Sequence, residues 1–286
     1  MPKVKVNDIQ TYYEMKGKGF PLVMICGMNQ NLAMWDPRLV EGLSKHFKLV
    51  LFDNRGAGRT EISEREYTIR LFADDTVGLM NALGIPKAHV LGLSMGGAVA
   101  QELAINYPEK VEKLVLCSTC SQHRGTQEER RMSEAMTQAF FLGKKEELIK
   151  MTLSSPLASD YPRDFLRDFP MIVYGLTSEF IKENPDLARR LLQVFSPAGN
   201  EYPISPEALM NRYDAMLRFN SQTRLKYIRA PTLVLHGRKD TTVAPKEGSI
   251  LAKAIPNAKL VYLENSAHSL IEDMEEMIHS ITEFLL

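Results

Sequence analysis

The sequence predicts an α/β fold: a mostly parallel central sheet flanked by helices, with an inserted all-helical lid. Three observations carry this. Short apolar runs alternate with helical patterns as far as Cys117, the mark of parallel βαβ units. The rhythm stops at Ser118 and resumes at Ala230. Ahead of that break one apolar run, Ala88–Leu93, passes through Gly92-Leu93-Ser94-Met95-Gly96-Gly97 into a helical pattern, Ala98–Ala104.

The elements follow in order. Met1–Val6 alternates as a strand does, and Ile9–Met15 continues an opening hairpin. Pro21–Cys26 is a buried strand that ends at Gly27. Asp36-Pro37 supplies an N-cap and a proline at the first helical position, opening a helix over Arg38–His46. Phe47–Phe52 is the next strand, and Asp53–Arg59 the loop behind it. Tyr67–Leu83 carries apolar residues at 69, 71, 72, 77, 79 and 80, a helical spacing, and Gly84 stops it. Tyr107-Pro108 then leads into the strand Val111–Cys117. From Ser118 to Arg229 short amphipathic helices are punctuated by Pro156, Pro162, Pro170, Pro185, Pro197, Pro203 and Pro206. This span is predicted to be a lid over the C-terminal edge of the sheet. Most of its Met132, Met136, Met151, Met171, Met210 and Met216, with Phe140, Phe141, Phe165, Phe169, Phe180 and Phe195, pack the lid's own core. A few line a pocket facing Ser94. Ala230–Gly237 resumes the sheet, a helix follows from Pro245, Ala258–Leu263 is the last strand, and a helix from about Leu270 to Phe284 closes the chain. The expected division is a core of residues 1–120 and 230–286 and a lid of residues 121–229.

Composition narrows the function classes. A chain of 286 residues, 44% hydrophobic, suits one large domain with an insertion. Its 35 basic and 35 acidic side chains cancel, which removes the electrostatic ground for a nucleic-acid partner or an anionic membrane. No stretch approaches the roughly 18 apolar residues of a membrane helix. The first strand lacks the apolar core of a signal peptide. Cys26, Cys117 and Cys120 form no even framework. Cys117 and Cys120 have C-x-x-C spacing, but Cys117 closes an apolar strand and no second pair exists, so no metal is expected. A reduced, cytoplasmic protein fits these facts.

The glycines around Ser94 have a mechanical reason. A strand that turns at once into a helix leaves no room for side chains two residues either side of the serine. The hydroxyl then projects above the sheet, where the helix N-terminus points its N–H groups. A serine hydroxyl needs a base. Of six histidines, His46 and His89 border a strand, His123 begins the lid, His236 ends a strand and His279 belongs to the last helix. His268 stands in the loop Glu264–His268 after the last strand, which opens at the same sheet edge as Ser94. Asp240, after the preceding strand, is the acid that would orient it, with Glu264 a weaker rival in the histidine's own loop. The oxyanion donors are expected to be the backbone N–H groups of Met95 and Met28, the latter in the loop after Pro21–Cys26. Cys26 is read as a small side chain closing its strand.

The chain resembles the α/β-hydrolase superfamily over nearly its whole length. The resemblance is carried by Gly92–Gly97, Asp53–Gly58, Met34-Trp35-Asp36-Pro37, Leu235–Asp240 and Ala267-His268. It looks most like the 3-oxoadipate enol-lactonase and carboxylesterase branch with a helical cap. The order Ser94, Asp240, His268 is the order of that superfamily. Cys26-Gly27-Met28-Asn29 departs from the His-Gly that many relatives carry, as enol-lactonases also do. What the resemblance implies is an α/β-hydrolase fold and hydrolysis of a small carboxylic ester or lactone, with no metal or organic cofactor. Carbon–carbon hydrolases of ring-cleavage products share the fold but use a longer glycine-rich oxyanion loop. Haloalkane dehalogenases use an aspartate nucleophile, against Ser94. A ligand receptor without turnover is the alternative outside enzymes. The apolar content of the lid leaves a homo-oligomer open.

Overall fold

The protein is described by a computed structural model covering residues 2–122, 135, 139, 144–169, 175–193, 201–202 and 204–286. Strands β1 (Lys3–Val6) and β2 (Ile9–Lys16) form the antiparallel opening hairpin, its turn at Asn7 in the left-handed region with φ 51°. Strand β3 (Pro21–Ile25), helix α1 (Pro37–Ser44), strand β4 (Lys48–Phe52) and helix α2 (Ile69–Ala82) follow. Helix α1 starts where Asp36 accepts the Arg38 N–H, with Pro37 at the first helical position. Strand β5 (Ala88–Leu93) runs directly into helix α3 (Met95–Asn106), and strand β6 (Val111–Cys117) comes next.

The insertion then contributes α4 (Lys145–Leu153), α5 (Arg163–Asp168), α6 (Ser178–Glu183), α7 (Pro185–Gln193) and α8 (Pro206–Leu217). Apart from an isolated bridge between Gln122 and Asn220, no strand lies there among the described residues. The predicted lid residues Met132, Met136, Phe140, Phe141, Met171, Phe195, Pro170, Pro197 and Pro203, and His123, lie outside the described residues. Strand β7 (Thr232–Gly237), helix α9 (Lys246–Ala254), strand β8 (Ala258–Leu263) and helix α10 (Met274–Leu285) complete the fold.

The eight strands lie in the order β1-β2-β4-β3-β5-β6-β7-β8, parallel from β4 onward. The order reverses at β3: the chain moves from β3 to β4 on one side, then crosses to β5 on the other. A crevice therefore opens between the C-terminal ends of β3 and β5, the usual place for a ligand in such sheets.

Alternate residues of each strand feed two cores. Val23, Ile25, Val50 and Val90 pack with Phe72 and Met80 of α2, Val99 and Leu103 of α3 and Leu251 of α9. Leu22, Met24, Leu49 and Leu91 pack with Leu39 and Leu43 of α1 and Met277 and Ile281 of α10. Phe165, Leu166, Ile181, Ala188 and Leu192 of the insertion belong to this second core. Among the described residues no helix is long and apolar enough to cross a membrane.

Two element starts differ from the sequence reading by more than two residues. Helix α3 begins at Met95 rather than Ala98, because Ser94 alone, at φ 55° and ψ −119°, makes the whole turn. The last helix begins at Met274 rather than Leu270. Leu270 has φ 57°, and Asp273 is occupied in accepting the Asn265 N–H and the Ser266 hydroxyl, so the chain turns before it coils.

Candidate active site

Ser94 occupies the sharp turn between β5 and α3. A β-carbon on Gly92 would collide with the Gly96 carbonyl oxygen, and one on Gly96 with the Ile25 carbonyl oxygen. Glycine at both positions lets helix, elbow strand and β3 approach one another. Backbone strain of about 1–3 kcal/mol at a serine with positive φ persists only where its surroundings over-determine it. Here the Ser94 N–H donates to the Cys117 carbonyl at 2.9 Å, and the Thr119 hydroxyl donates to the Ser94 carbonyl at 2.7 Å.

The loops after β7 and β8 are joined to each other. Arg238 N–H donates to Leu263 O at 2.9 Å, and Lys239 N–H to Ser266 O at 3.0 Å. The Arg238 guanidinium pairs with Glu264 at 3.0 Å and lies 3.5 Å over the Tyr262 ring. This presents Asp240 and His268 to one another. Asp240 Oδ2 accepts from His268 Nδ1 at 2.8 Å, and His268 Nε2 stands 3.0 Å from Ser94 Oγ. With the Nδ1 proton committed to the carboxylate, Nε2 is the acceptor for the serine hydroxyl. Asp240 Oδ1 accepts the N–H groups of Thr242 and Val243, both at 2.8 Å. Burial alone would raise the Asp240 carboxyl. The His268 and His236 imidazoles and the Val243 N–H outweigh it and hold the group well below the usual carboxylate range.

Of the sequence-predicted residues, the structure thus brings together Ser94, Asp240 and His268. The N–H groups of Met28 and Met95 make no hydrogen bond among the described residues. The competing groups are engaged elsewhere. His89 packs between Phe20 and Phe47, and burial pushes its pKa down to about 4. His279 is exposed beside Glu283 at 3.8 Å. Glu264 is exposed and paired with Arg238. Cys26 is buried, and burial together with the nearby Asp53 raises its thiol, which keeps it a poor nucleophile. No group of His, Cys, Asp or Glu suited to a metal ion occurs among the described residues.

Sequence reasoning missed the groups behind these. His236, fully buried, donates from Nε2 to Val243 O at 2.9 Å and lies 3.4 Å from Asp240 Oδ2. Gln30 Oε1 accepts the Gly27 N–H at 2.8 Å, and Asn54 Nδ2 donates to Cys26 O at 3.1 Å, bracing the loop of Met28. Arg212 of α8 donates to Met28 O at 2.8 Å. One signal for it was present. Arg212 shares a helical stripe with Ala208, Leu209, Ala215 and Met216, all buried, where a charged residue is out of place.

The sequence and the fold have counterparts. RutD of Azorhizobium caulinodans, named as a carbamate hydrolase, is 28% identical over 269 residues, 94% of this chain and 92% of its own. BpoC of Mycobacterium tuberculosis, named as a non-heme bromoperoxidase, is 30% identical over 263 residues, 91% of each chain. The crystal structure of the enol-lactonase from Burkholderia xenovorans LB400 superposes with a TM-score of 0.81 at 26% identity, covering 99% of both chains. The family model for the alpha/beta hydrolase fold matches residues 21–274. With a match over that span, this chain belongs to the α/β-hydrolase family.

Proposed function

We propose that the protein is a serine hydrolase of small carboxylic esters or lactones that works through an acyl-enzyme. The observation that supports this is the chain Ser94 Oγ, His268 Nε2, His268 Nδ1, Asp240 Oδ2, with spacings of 3.0 and 2.8 Å. In this reading His268 takes the Ser94 proton as Oγ attacks the acyl carbon. Asp240, kept ionised, holds the imidazole in the required tautomer and stabilises the imidazolium. The N–H groups of Met28 and Met95 hold the oxyanion. His268 then protonates the departing alkoxide. It next deprotonates the water that attacks the acyl carbon, and returns that proton to Ser94 Oγ as the Oγ–acyl bond breaks and the acid departs. No proton or electron is left unplaced, so the scheme needs no cofactor.

A lactone or small ester is favoured by the likeness to the enol-lactonase, and the short loop Cys26–Asn29 speaks against a carbon–carbon hydrolase with its longer glycine-rich loop. The helical insertion, residues 121–229 in the expected division, serves as the lid that selects the acyl and alcohol groups. The three cysteines are free and buried, which accords with a place in the reducing cytoplasm. The test is hydrolysis of p-nitrophenyl acetate and of a lactone panel. Ser94→Ala should lower kcat by about 10⁴-fold or more and abolish labelling by a serine-directed phosphonate. Near-full turnover in that variant refutes the assignment.

A further inference from the structure

We propose that Arg212, reaching from the insertion, is a positioning residue that sets the oxyanion loop, so that the insertion is part of the catalytic apparatus as well as a cover. The inference rests on the serine-hydrolase reading above.

Arg212 is fully buried on α8. Its Nη1 donates to Met28 O at 2.8 Å. Its Nη2 donates to Asn54 O at 3.1 Å and to Arg55 O at 2.8 Å. Among the described residues no carboxylate lies within ion-pairing distance, and its buried Nε has no partner. A cation with these surroundings is an expensive way to fill an apolar stripe, since a hydrophobic residue of similar volume would serve packing better. Burial accordingly pushes its pKa down to about 10.

What the guanidinium does is join two loops that hold the crevice. Its contact at Met28 O fixes the peptide following the proposed donor. Asn54, whose own carbonyl Arg212 binds, fixes Cys26 O on the preceding side. Gln30 holds the Gly27 N–H. The Met28 N–H is thus aimed by constraints on both flanks and is left without a protein acceptor. A donor displaced by a fraction of an ångström loses more of its hydrogen bond to the tetrahedral oxyanion than to the planar ground-state carbonyl, so the loss falls on kcat.

The experiment compares Arg212→Met, Arg212→Lys and Ser94→Ala with the parent on p-nitrophenyl acetate. Melting is followed by circular dichroism, and affinity is measured for a boronic-acid transition-state analogue. Arg212→Met should lower kcat about 10- to 100-fold, with KM within about twofold, and weaken the boronic acid in proportion to kcat. Arg212→Lys, which keeps the charge but cannot bridge both loops, should lose activity by a smaller factor. If Arg212→Met does not fold, the lysine variant decides: a folded Arg212→Lys with parental kcat and boronate affinity overturns the inference. A lower melting temperature with unchanged kcat and boronate affinity in Arg212→Met also overturns it. An inactive Ser94→Ala beside a fully active Arg212→Met removes this inference alone. An active Ser94→Ala removes the serine reading and the inference together.

Discussion

Two arginines, both fully buried, meet at the same loop with opposite partners. Arg55 pairs through Nε and Nη2 with Asp75 at 2.7 and 2.8 Å, and through Nη1 and Nη2 with Asp8 at 2.9 and 2.8 Å. Arg212 has backbone carbonyls, one of them belonging to Arg55 itself. Burial lowers the pKa of both; at Arg55 the two carboxylates overturn that effect and raise it, whereas at Arg212 burial prevails. The difference separates two uses of a buried cation. At Arg55 charge is neutralised locally, joining the opening hairpin to α2, and its removal leaves the buried Asp75 without a cation. At Arg212 charge is left over, and what it holds is the direction of peptide groups beside the site. The first is a matter of stability, the second of geometry.

That separation can be pressed hardest at Asp240. Both of its oxygens are hydrogen-bonded within the site, so Asp240→Asn is the limiting case of a change in geometry without loss of packing. It should lower kcat by about 10⁴-fold through the wrong imidazole tautomer, with the thermal transition little moved. Steady-state kinetics alongside calorimetry checks this. Arg55→Met is the opposite limit. It leaves Asp75 without its buried cation and should cost about 3–5 kcal/mol in urea unfolding. The fraction that remains folded should keep its kcat; a selective loss of kcat would erase the distinction between the two arginines.

The smallest effect concerns an anion placed as Arg212 is. Glu272 accepts the Thr177 N–H at 2.8 Å, while its other oxygen is buried without a partner. Burial raises its pKa above the ordinary carboxyl value, against the pull of that N–H. The folded state therefore favours the protonated form, and stability falls as pH rises from the unfolded-state pKa through the raised one. Glu272→Gln, which keeps the acceptor and removes the charge, should melt a few degrees higher at pH 8 and lose that advantage as pH falls below about 4. A melting series against pH for the two proteins reads this directly.

Legibility in the sequence followed the range of the interactions. Ala88–Leu93, Val111–Cys117 and Ala258–Leu263 are strands to the residue, because each is a run bounded by polar or turn residues. The parallel sheet then brings Ser94, Asp240 and His268 to one edge, so chain order and loop position were enough to group them. Arg212 could not be found that way. It touches Met28 across 184 positions, and its partners are carbonyls, which every residue carries. His236 was visible only as a strand end, since the bend that returns Val243 O to its ring lies in the loop. The start of α10 was misplaced because Asp273 looks like any early helical acid until Ser266 is seen beside it.

The separations along the chain also set an order of assembly. Asp240 and His268 are 28 positions apart, whereas His268 and Ser94 are 174 apart. Closing the longer loop costs about 1.6 kcal/mol more in chain entropy. The β7–α9–β8 unit can join acid to base from contacts within itself, as low contact order favours. During synthesis Ser94 emerges well before either partner and waits without a base. On the proposed mechanism, reactivity toward acyl groups is thus withheld from the nascent chain until β8 and the loop of His268 are in place.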